Sequence, residues 1–141
     1  MKKLLTISLV IIAMVSGYNA SAQMGIDSIR ISCNEIMSDQ YVPDGQNYYS
    51  FISTGEVAEF YSTFYGNTTY RIVGLLGNDE GKLIISVYDQ ERNLLFSNKD
   101  FENIAYWNFQ FENTLDCIIE AEIDSFDEMS GVAVLMIGFE K

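Results

Sequence analysis

From Tyr48 onward the chain is a succession of short runs in which apolar and polar residues alternate, separated by clusters of Gly, Asn and Asp. A period of two marks strands with one buried face, because successive side chains on a strand point to opposite sides of the sheet. The runs fall near 48–53, 56–65, 69–76, 82–89, 93–97, 104–112, 115–123 and 131–139. Ala58, Phe60, Ser62 and Phe64 alternate with Glu59, Tyr61, Thr63 and Tyr65, and Leu83, Ile85 and Val87 with Ile84, Ser86 and Tyr88. Ala105, Trp107, Phe109 and Phe111 alternate as cleanly with Tyr106, Asn108, Gln110 and Glu112. Seven or eight strands at this spacing need two sheets packed face to face, since one open sheet would leave its apolar side in water. The expected fold is mainly β, an antiparallel β-sandwich of the jelly-roll kind. Residues 124–131, Asp-Ser-Phe-Asp-Glu-Met-Ser-Gly, read as a long acidic hairpin loop.

Ahead of the strands, Ile29, Cys33, Ile36 and Met37 recur at helical spacing and predict one short helix within 26–39, with a leading strand over Ile26 to Ile31 as the alternative. Pro43-Asp44-Gly45 reads as a turn, because Pro presets φ and Gly accepts a positive one. Residues 23–47 and 48–141 are expected to form one domain, which suits a chain of 141 residues.

Met1-Lys2-Lys3, the apolar run from Leu4 to Val15 and the small residues Ala20-Ser21-Ala22 have the layout of a signal peptide ending at residue 22. Ser16, Gly17 and Asn19 interrupt the run before the roughly 20 apolar residues that a membrane anchor needs. The expectation is an exported chain, periplasmic or extracellular, with no membrane span in its mature part. Loss of Lys2 and Lys3 with that leader would move the formal charge from −12 to −14. Nucleic acid is not an expected partner, because phosphate binding requires a basic patch and the six remaining cations do not cluster.

There is no histidine. That removes Ser-His-Asp and Cys-His nucleophile systems together with every His-ligated zinc or haem site. Cys33 falls on the apolar face of the helix and Cys117 on the inward face of a strand. Two alternatives follow: a disulfide tying the N-terminal segment to the sheet, worth about 2–4 kcal/mol, or two buried free thiols.

The order Gly55-Glu56-Val57-Ala58-Glu59-Phe60, Tyr70-Arg71-Ile72-Val73, Leu83-Ile84-Ile85-Ser86-Val87-Tyr88-Asp89, Trp107-Asn108-Phe109-Gln110-Phe111 and Cys117 to Ile123 resembles secreted bacterial pre-peptidase C-terminal and GOLD-like sandwich domains. The chain is also similar to small exported Bacteroidetes proteins of unknown function, through Asp44-Gly45-Gln46, Thr63-Phe64-Tyr65, Tyr70-Arg71-Ile72 and Ile137-Gly138-Phe139. Both resemblances imply an exported sandwich. Pre-peptidase domains are appended to enzymes, so an accessory role here would require a separate polypeptide as partner.

Three candidate chemistries remain. Twenty acids ensure that some carboxylates lie close, and a pair such as Glu120 and Glu122 would suit a small hydrolase working by acid and base. Calcium is the one cofactor these loops suggest, through oxygens of Asp124, Asp127 and Glu128, or of Asn78, Asp79 and Glu80, although solvated turn acids explain both groups as well. Tyr61, Tyr65, Tyr88 and Tyr106 all lie opposite the inferred core face of their strands, with Tyr48-Tyr49 as an addition. Exposed tyrosines stack on sugar rings or anchor a protein at low entropic cost. The expected function is therefore a non-catalytic binding module for a glycan or an envelope protein. The alternatives are the hydrolase and a structural component that self-associates by an edge strand.

Overall fold

The computed structural model describes residues 25–77 and 82–141. The leader at 1–22 and the acidic group Asn78, Asp79 and Glu80 lie outside the described residues. Helix α1 covers residues 25–37. The described residues then form nine strands: β1 (Tyr41–Pro43), β2 (Tyr48–Ser53), β3 (Val57–Phe64), β4 (Thr69–Leu76), β5 (Lys82–Asp89), β6 (Leu94–Ser97), β7 (Tyr106–Gln110), β8 (Leu115–Asp124) and β9 (Ser130–Glu140). A 3-10 turn, Asn98–Phe101, joins β6 to β7.

Every strand pair is antiparallel. β2 pairs with β9, β3 with β8, β4 with β7 and β5 with β6, so the chain from Tyr48 to Glu140 is one long hairpin rolled over on itself. Pairing of β4 with β9 and of β5 with β8 completes two sheets. Sheet A runs β2-β9-β4-β7, with β1 alongside the far end of β9, and sheet B runs β3-β8-β5-β6. This is the double-sheet jelly roll, the class that period-two alternation predicts.

The inward residues read from alternation make the core. Ala58, Phe64, Leu83, Ile85, Val87, Cys117, Ile119, Ala121 and Ile123 pack with Ile72, Leu135 and Ile137 between the sheets. Phe64 meets Phe109 edge-on at 4.8 Å. Each fully buried Phe or Ile contributes about 1.5–3 kcal/mol of hydrophobic stabilisation. Strand β6 covers β5 only over Ser86 to Tyr88, and the buried side chain of Asn98 completes that edge. Its Oδ1 accepts from the Ile85 N–H at 2.8 Å, and its Nδ2 donates to the carbonyls of Leu83 and Ile104 at 3.0 and 3.1 Å.

A second cluster lies outside the sandwich, where α1 covers sheet A. Ile26, Cys33 and Met37 pack on Tyr41, Val73, Val132 and Val134. Close approach needs a glycine opposite the helix, since a Cβ on Gly138 would stand 2.6 Å from Met37 Sδ. The helix stops at Ser38, whose φ of 63° places it in the left-handed region usual just past a helix end. Arg71 of β4 caps the last turn: its Nη1 donates to the carbonyls of Ile36 and Met37 at 2.9 and 3.2 Å. That guanidinium is held between the rings of Tyr41 and Tyr106, at 4.4 and 4.5 Å from their centroids.

Two expectations are corrected here. The acidic segment is not a hairpin loop of 124–131: β8 extends to Asp124, and residues 125–129 carry the chain from sheet B to sheet A. Alternation identifies a strand without saying which strand it pairs with. The turn read at Pro43-Asp44-Gly45 is present, with Gly45 at φ 80° and Asp44 accepting from the Gln46 N–H, but Pro43 itself ends a short edge strand, a place where its missing N–H breaks no ladder. Among the described residues no helix is long and apolar enough to cross a membrane.

Candidate functional site

Among the described residues, sheet B presents its outer face without a helix over it. On that face Tyr61 of β3 stands opposite Ile118 of β8, which stands opposite Tyr88 of β5. In the adjoining row Glu59 stands opposite Glu120. Two carboxylates so placed repel, and the β5–β6 turn supplies the counter-charge. Arg92, at φ 63°, reaches back to bond Glu59 and Glu120 at 2.5 and 2.6 Å. Arg92 first and the Tyr61 hydroxyl second hold the Glu59 carboxyl below its ordinary range. The Tyr61 hydroxyl, donating to Glu59 at 2.9 Å, is correspondingly pushed above the usual phenol value.

At the β3 edge of this sheet lies an open groove of about 850 Å³, within the range of small-ligand sites. Tyr61 and Tyr65 line it, and they are 67% and 63% exposed. Asp44 and Gln46 enter from the β1–β2 loop, Thr63 from β3, Asp116 from β8 and Gln90 from the β5–β6 turn. The polar groups hold one another in place. Asp116 accepts from Thr63 Oγ1 at 2.5 Å on one oxygen and from Gln90 Nε2 at 3.3 Å on the other. Asp44 accepts from the Gln46 N–H and from the Tyr48 hydroxyl, both at 2.9 Å. Tyr48, itself part-buried and edge-on to Phe60, has its pKa raised, chiefly by burial.

The four predicted tyrosines are therefore divided. Tyr61 and Tyr65 share the groove, and Tyr88 shares the outer face of sheet B with Tyr61 one strand removed. Tyr106 belongs to sheet A, where its ring stacks on Arg71 and serves the helix cap. Of the added pair, Tyr48 lines the groove and Tyr49 is exposed on β2 of sheet A.

The proposed calcium residues do not converge. Among the described residues no group of three potential ligands is gathered tightly enough to hold a metal ion. Asp124, at the end of β8, accepts from Asn103 Nδ2, while Asp127 uses its backbone: its N–H donates to Ser125 Oγ and its carbonyl accepts from Thr54. The disulfide alternative is also corrected, for both thiols are free. Cys33 lies beneath α1 on the outside of sheet A and Cys117 between the sheets, so sheet A separates them. Both thiols are pushed up to about 11, Cys33 by burial against the pull of nearby Arg30, and Cys117 by burial with Asp116 and Asp89 adding to it.

Sequence reasoning missed Asp44, Gln46, Gln90, Thr63 and Asp116 as parts of one site. A usable signal exists only for the last two, which face each other once β3 and β8 are paired. The chain matches no family model and no curated protein.

Proposed function

We propose that this chain is an exported, non-catalytic binding module that holds a glycan in the groove at the edge of β3. The observation that carries the reading is the pairing of two exposed rings, Tyr61 and Tyr65, with polar side chains already oriented by bonds to one another. Rings supply the apolar surface on which a pyranose lies, and fixed acceptors take the hydroxyls at its rim. The orienting bonds reduce the ordering cost of binding. Against the hydrolase alternative stand the two carboxyls whose pKa shifts, Glu59 and Asp89. Both move downward, Glu59 through its bond to Arg92 and Asp89 through hydrogen bonds from Asn93, so neither is held protonated for proton donation. Export rests on the layout of residues 1–22.

The test is binding of residues 23–141 to a broad glycan panel, with calcium and again with chelator. Binding that survives chelation and falls at least tenfold in Tyr61→Ala or Tyr65→Ala supports the groove. Binding lost on chelation, or unaffected by either substitution, contradicts it.

A further inference from the structure

We infer that the groove takes uncharged glycans and rejects anionic ones, with Asp116 as the residue that sets this preference; the inference rests on the glycan reading above. Among the described residues, the two charged groups lining the groove are Asp44 and Asp116, and no cation lines it. An ionised carboxylate is an acceptor only, with about four lone-pair sites. In Asp116 each oxygen already receives one protein hydrogen bond, from Thr63 or Gln90, and the same holds for Asp44 with Gln46 and Tyr48. Those bonds fix the carboxylates and leave part of their acceptor capacity facing the groove. A ligand must then bring donors. The hydroxyls of a neutral sugar do so, whereas a uronate or sulfate brings further acceptors of like charge against two carboxylates, and the cation beside Tyr61, Arg92, is already bonded to Glu59 and Glu120.

Asp116 is the stronger determinant because it lies in the groove with Tyr61 and Thr63 beside it on β3. Its partner Thr63 is its direct cross-strand neighbour, and Tyr61 lies two residues along the same face. A hydroxyl donated to Asp116 would place the sugar ring over Tyr61. The formal charge, −12 for the full sequence and −14 without Lys2 and Lys3, adds a long-range repulsion for polyanions.

The experiment uses the chain from residue 23 with three soluble glycan sets matched in backbone: neutral, uronic or sulfated, and amino-sugar, at low and at physiological salt. Retention of neutral glycans at least tenfold above anionic ones, with the gap narrowing as salt screens the repulsion, supports the inference. In Asp116→Asn the neutral affinity should fall roughly tenfold and the discrimination against uronates should shrink. Equal or better binding of anionic glycans, or retention of amino sugars alone, overturns the inference while leaving a glycan site in place. Failure to retain any of the three sets overturns the glycan reading itself, and this inference with it. The salt series on the unmodified protein decides the matter independently of how the variant folds.

Discussion

The outer faces of the two sheets start from the same sequence pattern and end differently. Sheet A buries Val73, Val132 and Val134 under α1, and two of its rings hold that helix: Tyr41 and Tyr106 flank Arg71, which caps the last turn, while Tyr49 and Phe51 of β2 stay exposed. Sheet B has no such layer, and its rings face solvent at the rim of a groove whose polar groups are paired among themselves. On sheet A, Tyr41 and Tyr106 are parts of a helix cap while Tyr49 stays exposed on β2, and at the edge of sheet B Tyr61 and Tyr65 are available surface.

The comparison is broken most forcefully by removing the helix contacts. Met37→Ala deletes a fully buried side chain between α1 and Gly138 and should cost about 2–5 kcal/mol in denaturant unfolding. Arg71→Ala leaves the Ile36 and Met37 carbonyls without their donor and should cost about 2–4 kcal/mol, measured in the same way. If either variant unfolds like the parent, the helix layer is not what the packing makes it.

Thiol labelling sharpens the same contrast. With both thiols buried and raised to about 11, native protein at pH 8 should resist labelling and unfolded protein should release two thiols. In subdenaturing conditions Cys33 should react before Cys117, because lifting α1 exposes it while the sandwich stays closed. Simultaneous labelling would make helix and sandwich one cooperative unit.

The smallest effect is on pH. Glu59 has a folded pKa below its ordinary 4.5, so it contributes stability that is present above that value and lost as pH falls through the lower folded one. Asp89, held down by Asn93 from an ordinary 3.8, adds a loss of the same sign slightly lower. Thermal unfolding should therefore decline in acid from about pH 4.5 downward, and Arg92→Ala should flatten the part due to Glu59.

Much of the fold is legible in the sequence because a strand's alternation is a local property. The eight strands from Tyr48 onward fall where the runs place them, and Cys33, Ile36 and Met37 lie on the helix face that packs. The site is less legible. Period two tells which side of its own strand Tyr61 or Tyr106 occupies, but not which sheet that strand joins or what covers it. Pairing brings Asp116 to Thr63 and the β5–β6 turn to Glu59, and it is set by contacts far apart in the chain. Arg71 reads as one cation in a strand until the helix end it caps is in place, and Asn98 as a turn residue until β6 proves too short to cover β5.

The central claim, that Tyr41 and Tyr106 on sheet A support the fold and Tyr61 and Tyr65 at the edge of sheet B are free to bind, is tested most directly without any ligand. Thermal unfolding of Tyr106→Ala should show a clear loss, about 4 °C for each kcal/mol of cost, as Arg71 loses one of its two rings. The double variant Tyr61→Ala/Tyr65→Ala should unfold within about 3 °C of the parent. If the double variant instead melts as early as Tyr106→Ala, the groove tyrosines are structural and the two faces do not differ in the way described.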